Sequence, residues 1–265
     1  MNRRPSILRH CRAPRPAQRG FTLVELMVAI LIGLFLTGGL LTLTSAMKRT
    51  GTVQSGLSQL HDNERIALSL MTDVIQSTGY YPSPIGATTA STAFPAVGPW
   101  AAAQLIQGTD GGTATAQTDT ISVRYSSAGG DGILNCTGGT SAVAASWIAT
   151  FQLDASQDLQ CVLTTTNGTA AGAVTLVSGV QYMQILYGVQ TNVSAGTFSV
   201  DTYLTATQVT AGGYWPNVIS VQVTLWLNNP LYCTTNCLAG QQTTQPQTIP
   251  VSRTIALMSK AGVNT

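Results

Sequence analysis

Residues 21–47, FTLVELMVAILIGLFLTGGLLTLTSAM, limit what this chain can fold into more than any other stretch. Over these 27 residues there is a single charge, Glu25, placed near the start. A bilayer core is crossed by about 20 apolar residues of helix, so the stretch is long enough to span one. Arg19 and Gly20 stand just before it, and Lys48 and Arg49 just after. An Asp, Lys or Arg at the centre of a spanning helix costs about 2.5–3.5 kcal/mol, and an acid nearer the end costs less. Glu25 is therefore either a solvated acid at headgroup level or an acid with a partner. A cut between Gly20 and Phe21 would supply one, because it creates an α-amino group four residues away.

The preceding 20 residues carry Arg3, Arg4, Arg9, Arg12, Arg15 and Arg19 and no acid, with Pro5, Pro14 and Pro16 disfavouring helix. Basic arms of this kind can bind nucleic acid. The positive-inside rule explains the same charges, since arginines before a spanning helix hold that end in the cytoplasm. A secretory signal is cut after its apolar region; here the candidate cut precedes it, so the helix stays on the mature chain. The full sequence has 12 basic and 10 acidic residues. Without the six leader arginines, six basic residues face ten acidic ones, a net charge of −4. A basic mature protein that binds nucleic acid is not expected.

The run Gly20-Phe21-Thr22-Leu23-Val24-Glu25-Leu26 resembles the processing site of type IV prepilins and of type II secretion pseudopilins. The resemblance implies that a prepilin peptidase cuts after Gly20 at the cytoplasmic face. It also implies that Phe21 becomes the methylated amino terminus and that Glu25 pairs with the terminus of a neighbouring subunit. Residues 1–20 would then be a leader peptide.

Beyond the polar passage TGTVQSG, helical periodicity resumes. Leu57, Leu60, Glu64, Ala67, Leu68, Met71, Val74 and Ile75 recur at three- and four-residue steps, with Asp62, Asn63, Arg65, Asp73 and Gln76 largely off that stripe. Gly79 suits the position after a helix end, and Pro82 prevents continuation. The expectation is a long helix over 21–78, membrane-spanning over about 21–47, with a length of about 87 Å if continuous. Gly33, Gly38, Gly39, Gly51 and Gly56 each weaken a helix by about 1 kcal/mol relative to Ala. Close helix packing, or the partial unwinding that the pilin resemblance implies, would both account for them.

Residues 80–118, rich in Pro, Gly, Ala, Ser and Thr, read as a long loop with a short element around 100–106. Alternation at Ile121, Val123 and Tyr125 marks a half-buried strand. Further strands are expected at 147–153, 159–165, 174–177, 180–189, 199–205, 218–227 and 248–257. The architecture is α+β: an antiparallel sheet over residues 79–265 packed on the amphipathic half of the helix, a type IV pilin-like arrangement. Charged residues make up 8% of the chain, against about 25% in ordinary soluble domains. Low charge leaves little repulsion between like subunits.

MVAILIGLFL in the apolar segment, QYMQILYGV over 181–189, Tyr203-Leu204-Thr205-Ala206 and Trp215-Pro216-Asn217-Val218-Ile219-Ser220-Val221 are similar, in order, to PilW-type minor pilins. Gln222 stands where that family leads one to expect Arg, and Met258-Ser259-Lys260 replaces an Arg-Asn-Arg-like ending. Both departures bear on a basic contact rather than on the family.

Cys11 belongs to the leader. Cys136, Cys161, Cys233 and Cys237 fall on the expected extracytoplasmic side, where disulfides persist. Four cysteines allow three connectivities. Cys136–Cys161, between neighbouring strand ends, and Cys233–Cys237, closing a short loop, are the favoured pairs. A four-thiolate zinc site is the alternative, but one pair alone is closely spaced, and by three residues.

No enzyme is expected. His10 lies in the leader and His61 sits on the helix beside Asp62 and Glu64, so no Ser/His/Asp or Cys/His set can be assembled without it. No phosphate-cradling glycine motif occurs in a strand–helix context. Asp131-Gly-Ile-Leu-Asn135 is a fragment of a calcium loop without its alternating ligands, and turn chemistry explains Asp110, Asp119, Asp131, Asp154 and Asp158 better. Asn167-Gly168-Thr169 is a chance-level glycosylation match. No cofactor or metal is expected.

The resemblance implies a structural minor pilin of type IV pilus assembly, initiating the filament or sitting in its tip complex. It would be anchored in the inner membrane with its C-terminal domain in the periplasm. The partners implied are other minor pilins, the major pilin, a tip adhesin, the prepilin peptidase and inner-membrane lipid. A type II secretion pseudopilin shares the N-terminal features, and a membrane-anchored periplasmic binding domain is the alternative of a different class.

Overall fold

The computed structural model describes residues 20–82, 89–111, 118–166, 168–192, 199–235, 237 and 240–260. His10, Cys11, the leader arginines and Asn167 lie outside the described residues. The chain divides into two compact units, one ending at Arg49 and one beginning at Thr50.

Helix α1 runs Leu23–Gln76, starting two residues later and ending two earlier than the periodicity suggests. In its first unit the large apolar side chains, from Leu23 to Met47, are exposed. The hydroxyls there turn back onto their own helix: Thr37 donates to Gly33 O at 2.9 Å, Thr42 to Gly39 O at 2.8 Å and Thr44 to Leu40 O at 2.8 Å. Polar groups bonded in this way make no demand on water, which a helix in lipid requires. By length and composition this helix can cross a membrane.

In the second unit α1 buries Leu60, Ala67, Leu68, Met71, Val74 and Ile75. All six belong to the stripe read from the sequence. The helix stops where Gly79 takes a left-handed φ of 77° and its N–H leaves the helix to donate to Arg124 O at 2.8 Å. Farther up, a Cβ at Gly56 would lie 2.8 Å from the Pro230 ring. That glycine is thus a point of close approach and not merely a weakness of the helix.

A short helix α2 (Ala90–Ala93) and strand β1 (Ile106–Thr109) lie within the stretch expected to be loop. Then follow β2 (Thr120–Ser127), β3 (Ala145–Leu153), β4 (Asp158–Thr165), β5 (Ala170–Ser178) and β6 (Val180–Val189). The chain continues through β7 (Thr202–Leu204), α3 (Ala206–Gly212), a 3-10 turn at Trp215–Asn217, β8 (Val218–Asn228) and β9 (Thr248–Ala256). The α+β class holds, with a refinement. The strands form two antiparallel sheets, a five-stranded one in the order β1-β2-β3-β4-β5 and a four-stranded one in the order β7-β6-β8-β9. Alternation places Ile121, Val123 and Tyr125 of β2, Phe151 of β3, and Leu159, Cys161 and Leu163 of β4 in the core. From the second sheet, Met183, Ile185 and Tyr187 of β6 and Val221, Val223 and Leu225 of β8 join the same cluster as the α1 stripe.

One aspartate ties the two sheets together, and a second ties the end of β1 to α3. Asp119, just before β2, donates its N–H to Met183 O at 3.0 Å, and its carboxylate accepts from the N–H of Ile185 at 2.8 Å and of Gly111 at 3.0 Å. Asp110, just after β1, accepts from the N–H groups of Ala206 at 2.8 Å and Thr207 at 2.9 Å, which open α3. Burial raises the Asp119 carboxyl above its ordinary value against the pull of those amides. At Asp110 burial also pushes upward, but hydrogen bonds from Thr207, Thr205 and Ala206 outweigh it and hold the carboxyl low.

Gly79→Ala is expected to lower the unfolding free energy by about 1–3 kcal/mol, through left-handed strain and contact with Leu105 and Ser259, measured by urea denaturation of the chain in detergent. Asp110 contributes stability above the unfolded carboxyl pKa, about 3.9, and loses it as pH falls through its lower folded value. Asp119 has the opposite sign, its contribution declining as pH rises through its raised folded value. Asp110→Asn should therefore flatten the loss of the urea midpoint below about pH 4.

Candidate functional site: the amino-terminal turn of α1

Gly20 and Phe21 are exposed, Phe21 at 84%. Just after them Thr22 and Glu25 form a reciprocal pair. The Thr22 hydroxyl accepts from the Glu25 N–H at 3.3 Å, while the Glu25 carboxylate accepts from the Thr22 N–H and hydroxyl, both at 3.4 Å. This is a capping box, which satisfies two of the amides that a helix start leaves without partners. An acid in the first turn also meets the positive end of the helix dipole. Glu25 thus has an internal partner, which the Thr-x-x-Glu spacing announces and which the charge-pairing reading passed over. These bonds are long for charge-assisted ones, which run about 2.7–2.9 Å, so a closer cation could draw the carboxylate away.

The cysteines fall into two separate pairs. Cys136 and Cys161 form a disulfide with Cα atoms 6.1 Å apart, and Cys233 and Cys237 a second with Cα atoms 5.4 Å apart. Cys161 lies in β4, while Cys136 sits in the β2–β3 connection, so the first bond pins that connection to the sheet. Sulfurs bonded in pairs supply no thiolates for a four-cysteine zinc site.

Other polar side chains have structural work. Asp131 accepts from Ser127, Ala128 and Ile133, and Asn135 from the N–H groups of Thr137 and Gly139. The calcium-loop fragment therefore spends its oxygens on its own turns. Asp154 holds Ser156 and Asp158 in the same way, and Asp201 holds Thr191 and Asn192. Backbone bonds keep the Asp201 carboxyl low, and turn bonds outweigh burial to do the same at Asp131. His61 pairs with Glu64 at 3.5 Å on the surface of α1. Among the described residues no three His, Cys, Asp or Glu side chains are grouped to hold a metal ion.

A helix that begins in an exposed turn, runs bare and apolar, and then packs under antiparallel sheets defines a protein of the type IV pilin class. A model of the prokaryotic N-terminal methylation motif matches residues 15–41. The family described as Type IV Pilus-assembly protein W, PilW, matches residues 145–257, from the start of β3 to just past β9. No curated protein matches the chain. The chain is a PilW-like type IV pilin, a minor pilin of pilus assembly, anchored to a membrane by α1 and carrying a globular domain.

Loss of Cys136–Cys161, which closes 25 residues, is expected to cost about 3 kcal/mol, and loss of Cys233–Cys237 about 2. Urea denaturation of the two Cys→Ser double variants checks the ranking.

Proposed function

We propose that this minor pilin is a non-enzymatic subunit that initiates the pilus or sits in its tip complex. In this reading residues 1–20 are a leader that prepilin peptidase removes after Gly20, leaving a methylated Phe21. The mature helix is held in the inner membrane over about 21–47, with residues 79–265 in the periplasm. Other minor pilins, the major pilin and a tip adhesin are its partners.

The observation that carries this is the capping turn itself. In the isolated subunit Glu25 rests on its own helix amides through long bonds. A neighbour's α-ammonium would offer it a charge-assisted bond about twice as strong as a neutral one. In an apolar surrounding that exchange neutralises both charges, and so favours assembly at the correct axial offset. Retention of Glu25 lets this subunit seat beneath another.

Intact-mass analysis of membranes with and without prepilin peptidase should give a chain that starts at methylated Phe21 only when the enzyme is present. Glu25→Ala should then be processed normally and anchored normally, but recovered in sheared pili at less than about a tenth of the wild-type level. A leader retained on the chain, or a cut after the apolar stretch, would count against the pilin role.

A further inference from the structure

The two disulfides differ in what can reach them. Cys136 and Cys161 are both buried, at 1% and 0% exposure. Cys233 is half-buried and Cys237 is exposed. Both stand on the β8–β9 connection, which carries no charge from 228 to 247 and so offers no carboxylate of its own to repel an anionic thiolate. A thiolate breaks a disulfide only where it can approach one of the sulfurs, so access decides which bond exchanges. In the folded chain Cys233–Cys237 is open to a dithiol, and Cys136–Cys161 is shielded by the core.

The exposed bond stands beside the place where the connection touches α1. Pro230 packs against Gly56, where an added Cβ would lie 2.8 Å from the proline ring. Leu60, one turn on, is the first buried residue of α1. A cavity of about 110 Å³, lined by Gln59, Asn63, Ser178 and Asn228 among others, lies at the same junction. Packing on this stretch of helix is thus incomplete, and the close contact with Pro230 matters to it. The Pro230 segment is held in turn by the chain returning alongside it. The Gln242 N–H donates to Leu231 O at 2.8 Å and Gln241 Nε2 to Pro230 O at 3.0 Å. At the far end Asn229 donates its N–H to Gln247 O at 3.0 Å and its Nδ2 to Pro246 O at 2.8 Å. Tyr232 and Gln242 meet in a parallel bridge, so the chain between them has to loop right round. The disulfide pinches residues 233–237 out of that loop, which leaves less chain to order when the strap closes.

We propose that Cys233–Cys237 is a site of reversible thiol–disulfide exchange with a dithiol, and that its state sets how firmly the Pro230 strap holds α1 at Gly56. Cys136–Cys161 is the permanent bond of the pair. A thiolate of the dithiol attacks Sγ of Cys237, the more exposed sulfur. The Sγ–Sγ bond breaks and Cys233 departs with the electron pair. The second thiol of the reagent then displaces Cys237 and closes a disulfide on the reagent. Two electrons and the two protons of the dithiol end on the cysteines, so the chain is reduced and the reagent oxidised. The reverse step is favoured by the spacing, because two thiols four residues apart meet at high effective concentration once an oxidising disulfide is supplied. The assignment is independent of whether the chain enters a pilus.

The test uses the full folded chain in detergent, with dithiothreitol as the dithiol and N-ethylmaleimide as the quench. Peptide mass mapping should find Cys233 and Cys237 labelled at least about tenfold faster than Cys136 and Cys161. Oxidised glutathione should then restore the bond. In the reduced chain the amides of Tyr232 and Gln242, and those of α1 at 56–60, should exchange at least about threefold faster, with those at 67–75 unchanged. Cys233→Ser combined with Cys237→Ser should give the same pattern without reagent, and Pro230→Ala should loosen 56–60 while the bond stays intact. Should the double variant not fold, the reduced wild-type chain still decides. Equal labelling of the two pairs, or labelling of Cys233 and Cys237 only after urea unfolds the chain, overturns the exchange site. Exchange at 56–60 that neither reduction nor Pro230→Ala alters overturns the strap.

Discussion

Burial of one helical stripe, Leu60, Ala67, Leu68, Met71, Val74 and Ile75, is the interaction on which the globular unit depends. Each large side chain among them contributes about 1.5–3 kcal/mol on leaving water. The same hydrophobic cluster takes inward residues from both sheets, so neither sheet has a core of its own. Asp119 then bonds a backbone amide of β6 from the other sheet, and Asp110 the opening amides of α3. Edge-to-face packing of Tyr187 against Trp215, with ring centroids 5.0 Å apart, adds an aromatic contact beside that junction.

The scarcity of charge acquires a meaning from where the charges sit. Asp110, Asp119, Asp131, Asp154 and Asp201 all accept backbone N–H bonds at turns or helix starts. Acids spent in this way shape loops rather than keep subunits apart. Elsewhere the described surface of the globular unit is largely Thr, Ser, Gln, Asn and Ala, with a few exposed ions such as Asp62, Arg65, Asp73 and Arg253. Such a surface can approach another of its kind without paying much desolvation of ions, as a filament subunit must.

Glu25 shows the same economy at the other end of the chain. Its carboxylate completes the first turn of α1 in the free subunit. Because that partner is weak and internal, the hand-over to a neighbour's amino terminus proposed above would break only two long bonds. An acid near the end of a spanning helix is less costly than one at its centre, and this one has its charge met by the first turn.

Much of the fold was legible because it follows from local periodicity. The α1 stripe, the alternation in β2, and the limits of β6 and β8 come from side-chain spacing alone, as does the exposed apolar run. The capping boxes at Thr22-x-x-Glu25 and Thr205-x-x-Gln208 were also there to be read. The second of them opens a helix where only the tail of a strand was expected. Division of the strands into two sheets was not legible, since alternation reveals a buried face but not which strands share it. Nor was the place of Arg124: an arginine in an alternating strand looks like a solvent-facing residue, and its burial depends on Phe94 and Trp100, about 30 residues earlier, folding over it. The sequence by itself determined the long apolar helix, its N-terminal methylation motif and the amphipathic stripe, because those are written in neighbours along the chain. Tertiary structure alone decided the two-sheet division, the amides that Asp110 and Asp119 hold, and the caged arginine, because each needs partners that only folding brings together.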